Sequence, residues 1–135
     1  MTRWVAPIER IGSWAAYMEA WPFADHADRP LFDVVDEVAG IAAPIVTATT
    51  FGKWGLLVAI TGPAPELVVT GVSTDCCVIS TALPAADAGA TLPVVTDACA
   101  GSTPANHRAA LDVMALYPPQ ITLRTTDEVL RQLGA

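Results

Sequence analysis

Lysine is almost missing from this sequence: Lys53 is the only one in 135 residues. Basic side chains are few altogether, with Lys+Arg 7 against Asp+Glu 14 and a net charge of -7. A chain so acidic has no basic stripe for nucleic acid or for an anionic lipid surface, so neither is expected as a partner. The expected ligand is a small molecule. Long apolar runs are absent too. None approaches the ~18 residues of a membrane span, which excludes a transmembrane helix. The opening Met-Thr-Arg-Trp has no apolar core of the kind a signal peptide needs, and a cytoplasmic location is expected. Cysteine is scarce: Cys76, Cys77 and Cys99 have neither zinc-ligand spacing nor the count of a disulfide framework. Histidine is scarcer, with His26 and His107 alone. Charged and polar neighbours mark His26 as a surface loop residue.

What the chain does have is apolar bulk. Hydrophobic residues make up 53% and charged residues 16%, the balance of a buried core rather than of disorder. The length suits a single domain over residues 1–135. In the second half, Glu66-Leu-Val-Val-Thr-Gly71 reads as a buried parallel strand. An alanine-rich helix is expected from Cys77 to Ala88, closed by Gly89 and disturbed at Pro84. A strand at 91–96 follows, then a helix capped by Thr103 with Pro104 in its first turn, running to Tyr117 before Pro118-Pro119. Gln120 to Arg124 reads as a third strand, and Thr125 with Glu128 forms a capping box for a last helix reaching Leu133. Strands alternating with helices on short connections specify a parallel sheet with helices on both faces, an α/β fold.

The first half is less regular. A helix from Pro30 to Ala39, ending at Gly40, leads to a strand over Pro44 to Ala48. Before it lies a long stretch, Trp4 to Arg29, carrying Trp14, Tyr17, Trp21 and Phe23. Such rings either cover a sheet edge or line a pocket, and the sequence leaves both open.

Chemistry concentrates in Gly71-Val-Ser-Thr-Asp-Cys-Cys-Val78, where a strand passes into a helix. Ligands of parallel sheets bind beyond the carboxyl ends of the strands. A cysteine in the first helical turn meets the positive end of the helix dipole, which favours thiolate. Free N–H groups there can accept a developing oxyanion. The bland alternative is a buried, inert cysteine, since activation also needs a base.

The segment Val69 to Leu83 resembles the active-site region of the isochorismatase-like cysteine hydrolases, relatives of nicotinamidase and N-carbamoylsarcosine amidase. The similarity continues through Ala86-Asp-Ala-Gly89, Val94-Val-Thr-Asp-Ala98, His107 and Ala110-Leu111. It implies the three-layer fold of that family and hydrolysis of a C–N (amide) bond by a Cys-Lys-Asp triad, through a thioester. Cys77 aligns with the nucleophile. The backbone N–H groups of Ser73 and Cys77 would form the oxyanion hole, and a cis peptide is implied at Val72-Ser73. No cofactor is implied, and a homo-oligomer is compatible with the family. Nicotinamidases that bind metal use an Asp and several histidines; here Asp25-His26 adjoin and only His107 remains, so no metal site is expected.

Two triad members depart from the pattern. Lys53 is the candidate lysine, but it follows Phe51; if Phe51 is the matching aromatic, the lysine position falls near Thr47, and Lys53 is a surface residue. The aspartate belongs to a first strand ending in Asp-Met-Gln, and nothing like it occurs. Met1 to Val5 resembles the tail of the family's second strand, so the first strand and its aspartate are expected to be missing. Asp25, Asp33, Asp75 and Asp97 remain, with Asp75 and Asp97 read as turn residues near the crevice. Two further readings therefore stand beside the amidase: an inactive remnant that binds a partner chain, and a vinyl-ether hydrolase of the isochorismatase type.

Overall fold

A computed structural model describes residues 1–25 and 32–134. His26 and Pro30, with the expectations placed on them, lie outside the described residues. The chain forms two compact units, Met1–Thr50 and Phe51–Ala135, and each is taken by itself.

In the first unit, strand β1 (Thr2–Trp4) pairs in parallel with β2 (Val46–Ala48), Thr2 opposite Val46 and Trp4 opposite Ala48. The ladder is extended at both ends, Val46 N–H donating to the Met1 carbonyl and Val5 N–H to that of Ala48, each at 2.9 Å. The Trp4 indole N–H reaches the Thr49 carbonyl at 3.1 Å, and the ring stands edge-on to Phe32 at 5.5 Å. Arg3 donates through Nε to Thr47 and pairs with Asp33. Helix α1 (Trp14–Ala20) spaces Trp14, Tyr17 and Trp21 three and four residues apart, so the rings meet edge-on at 5.4 Å and stacked at 6.3 Å. Met18, four residues after Trp14 on the same face, is buried. A short helix α2 (Pro22–Asp25) follows. Of the helix expected from Pro30 to Ala39, Pro30 and Leu31 lie outside the described residues, and the described α-helical part is α3, Asp36–Ala39, with Asp36 and Glu37 in its first turn.

The second unit carries the α/β pattern. Strands β3 (Val69–Val72), β4 (Leu92–Ala100) and β5 (Ile121–Arg124) form a parallel sheet in the order β3-β4-β5. Helix α4 (Trp54–Thr61) precedes β3, α5 (Ile79–Asp87) joins β3 to β4, and α6 (Pro104–Met114) joins β4 to β5. Helix α7 (Thr126–Leu133) closes the chain. Alternation of Ala82, Ala85 and Ala86 at helical spacing gives α5 a flat buried face, packed with Val78, Leu92, Val94, Met114 and Ile121. Leu92, Met114 and Ile121 are almost solvent-free; burying each contributes about 1.5–3 kcal/mol. The caps fall where the sequence put them. Thr103 accepts from Asn106 N–H, and Thr125 and Glu128 form the reciprocal box.

Three expectations are corrected here. Helix α5 runs unbroken through exposed Pro84, and the irregularity lies upstream in a π-helical turn, Thr74–Val78, so helical backbone begins three residues before Cys77. Strand β4 extends past residue 96 to Ala100 because β3 keeps pairing with it beyond the bulge between Val69 and Gly71. Asp97 therefore lies in a strand and not in a turn. No described helix is long and apolar enough to cross a membrane.

Candidate active site

The turn after β3 is built around one carbonyl. The Val72–Ser73 peptide is cis, and the Ser73 oxygen then accepts from the N–H groups of Cys76 and Val78, both at 3.1 Å. Those donors flank Cys77. The Val78 bond closes the wide ring of a π turn, a geometry that recurs at functional sites. Cys77 is the fourth of its five residues, at the carboxyl end of the sheet.

Two thiols stand side by side here with different characters. The Cys76 thiol is pushed up to about 12, first by burial, then by the neighbouring Cys77 charge and a hydrogen bond to Cys77. Cys76 is therefore held as the neutral thiol. Burial also pushes up Cys99, which sits on β4 with its sulfur 3.9 Å from the Val69 carbonyl. All three cysteines are free.

Lys53 lies in the same unit and is only 3% exposed, which overturns the surface reading. Its Nζ donates to the Phe51 carbonyl at 2.7 Å, and its charge draws the Cys76 thiol downward against burial. Among the described residues no carboxylate pairs with it. Lys53 is also held through its backbone: its N–H donates to Thr81 Oγ1 at 3.1 Å, and that hydroxyl donates to the Cys77 carbonyl at 2.7 Å. One threonine thus ties the lysine to the turn that carries Cys77. Gly52 allows the approach, since a Cβ there would lie 2.7 Å from the Ser80 carbonyl. Thr47, the alternative lysine position, lies in β2 of the other unit and accepts from Arg3.

The two aspartates near the sheet end are engaged. Asp75 accepts from the Ser102 hydroxyl and, at 2.8 Å, from its N–H; the hydroxyl bond first, then the backbone one, holds the carboxyl below its ordinary 3.8. Asp97 accepts from Thr126 N–H at 2.8 Å and Oγ1 at 2.9 Å, which places a carboxylate at the positive end of α7 and lowers its pKa. A shallow groove of about 360 Å³ beside the turn is lined by Asp75, Ile79, Asn106 and Val113 among others, and Cys77 is not part of its lining.

Sequence reasoning missed three partners: Thr81, Ser102, and the bond of 2.8 Å between Thr74 Oγ1 and His107 Nδ1. Thr81 had a signal, standing four residues after Cys77 on the same helical face. The other two are separated in sequence from the turn by β4.

This geometry sits within a known family. The family model for the isochorismatase domain matches residues 16–128, and the chain belongs to that family. No curated protein is similar enough to match. Among solved structures, the chain resembles an isochorismatase-like hydrolase from Alkaliphilus metalliredigens with TM-score 0.72 and 18% identity, covering 98% of this chain and 71% of that one. A cysteine hydrolase from Pseudomonas syringae pv. phaseolicola is similar at TM-score 0.74 and 18% identity, over 98% of this chain and 70% of that one. Nicotinamidase from Bacillus subtilis is similar over 62% of this chain, with TM-score 0.50 and 22% identity; the chain spans 49% of it. These likenesses fix the α/β fold.

Proposed function

We propose that this protein is a cysteine hydrolase that cleaves a C–N (amide) bond in a small molecule, with Cys77 as nucleophile. The observation that carries the reading is the place of Cys77 in a π turn at the carboxyl end of a parallel sheet, between two residues whose N–H groups both converge on the Ser73 carbonyl. The Cys77 thiolate attacks the carbonyl carbon. Its oxygen gathers negative charge against the N–H groups of Ser73 and Cys77, the donors we assign to the oxyanion hole, beside Val72. The C–N bond of the tetrahedral species breaks to leave a thioester, the departing amine or ammonia taking up the proton that the Cys77 thiol lost, and water then hydrolyses the thioester to release the acid and restore the thiol. Lys53, buried and tied to the turn through Thr81, is the lysine we assign to the site, where its positive charge offsets the negative charge that develops during attack. The reading also makes the protein cytoplasmic, since three free thiols persist in a reducing compartment.

A second reading, a catalytically silent chain that binds a partner, has one observation in its favour. The carboxylates nearest the sheet end are bonded to Ser102 and Thr126, so neither is poised as the base that thiol activation needs. Ammonia release from nicotinamide and from small carbamoyl amides, with Cys77→Ala as control, decides between them. Cys77-dependent release supports the hydrolase; equal background from both proteins across the panel supports the silent chain.

A further inference from the structure

A π turn is rare and appears mostly as a single turn at a functional site, so what holds it in place bears on that site. Here the holding elements come from the opening of α6. Thr74, the first residue of the turn, is 0% exposed, and its hydroxyl shares a hydrogen bond of 2.8 Å with His107 Nδ1. Asp75, the second, is bound by Ser102, whose hydroxyl also accepts from Asn106 Nδ2 at 2.9 Å. The start of α6 is itself rigid, because Thr103 caps it by accepting from Asn106 N–H at 3.1 Å. Close approach is enforced at Gly101, where a Cβ would lie 2.8 Å from the His107 backbone. Of the two anchors the Thr74–His107 bond is the less exposed: it is part-buried and rests on a fully buried hydroxyl, so a lost partner is less readily replaced by solvent, whereas the Asp75–Ser102 bonds are exposed.

We infer that His107 is a positioning residue: through Thr74 it fixes the π turn so that the Cys77 sulfur stays at the point where the turn's N–H groups and dipole act on it. This rests on the reading of Cys77 as the nucleophile. It assigns His107 no proton transfer and no contact with substrate.

The test is alkylation of the folded protein by iodoacetamide near neutral pH, with the three cysteines resolved by peptide mapping. Cys77 is expected to react fastest in the wild type. Thr74→Val keeps the shape of the buried side chain and removes the hydroxyl; His107→Ala removes the ring. Each is expected to slow Cys77 about tenfold, the factor of one lost hydrogen bond, with Cys99 unchanged. Thr74→Ser and His107→Asn, which preserve a polar atom at each end, are expected to stay within about threefold of wild type. The double variant Thr74→Val/His107→Ala is expected to be no slower than either single one, since both remove the same bond. A Cys77 rate that is unchanged or higher in Thr74→Val overturns the inference and leaves the nucleophile reading standing. So does a common change in all three thiols, which marks a merely structural bond. A wild type in which Cys77 is no faster than Cys99 overturns both.

Discussion

Thr81 offers the sharpest test of how the site is assembled, because one hydroxyl serves two partners. It accepts from Lys53 N–H at 3.1 Å and donates to the Cys77 carbonyl at 2.7 Å. Thr81→Val keeps the branched shape and deletes both bonds. Each net hydrogen bond contributes about 0.5–1.5 kcal/mol, and the Lys53 N–H, at the start of α4 beside a buried side chain, loses its acceptor. Thr81 is itself half-buried, so water restores part of the loss. The expected destabilisation is about 1–2 kcal/mol, or roughly 3–8 °C in Tm for a chain of this size. Thr81→Ser, which keeps the hydroxyl, is expected to lose less than half as much. Thermal unfolding followed by circular dichroism measures this, and alkylation of Cys77 measured alongside is expected to slow. A Thr81→Val protein with wild-type Tm and a wild-type Cys77 rate would refute the bridge between Lys53 and the turn that carries Cys77.

Other consequences follow from single features. Leu92, buried on β4 against α5, is expected to cost about 2–5 kcal/mol as Leu92→Ala by denaturant titration. Asp75, Asp97 and Glu128 have pKa values held below their ordinary ones by Ser102, Thr126 and Thr125; their contribution is present above the unfolded values, roughly pH 4, and disappears as pH falls through the lower folded ones. At the alkaline end, Cys76 is raised to about 12, so stability falls as pH rises from the unfolded thiol value, roughly pH 8.5, toward 12, and a Cys76→Ser protein is expected to lose that slope in pH-dependent melting. Among the described residues β3 pairs on one side only, and Val72 on it is 71% exposed; Val72→Lys is expected to reduce self-association in light scattering, since a charge on an open strand edge discourages edge-to-edge pairing.

The second half of the fold was legible because its signals are local. Thr103 with Pro104, and Thr125 with Glu128, announce helix starts through caps that need only three residues. The apolar runs at 66–71, 91–96 and 120–124 located all three strands of that unit. The limits of β4 were misjudged because a strand's end depends on its partner, and β3 pairs with Cys99 and Ala100 beyond a bulge that no residue pattern announces. Residues 30–39 have helical composition, yet among those described the α-helix is confined to Asp36–Ala39; an isolated short helix is marginal without packing to hold it. At the site, Cys77 stood out through its place between strand and helix. Lys53 could not be assigned from spacing alone, since its burial arises from the packing of α4 and α5. The Thr74–His107 contact spans a whole strand-helix connection, and only the folded sheet brings it together.

The most direct test of the nucleophile is the covalent intermediate itself. Protein quenched in acid during turnover of an amide substrate, then digested and analysed by mass spectrometry, is expected to carry the acyl group of that substrate as a thioester on Cys77 alone. Hydroxylamine is expected to remove the label, and Cys77→Ala to abolish it. An acyl group on Cys76 or Cys99, or turnover that persists unchanged in Cys77→Ala, would contradict the account.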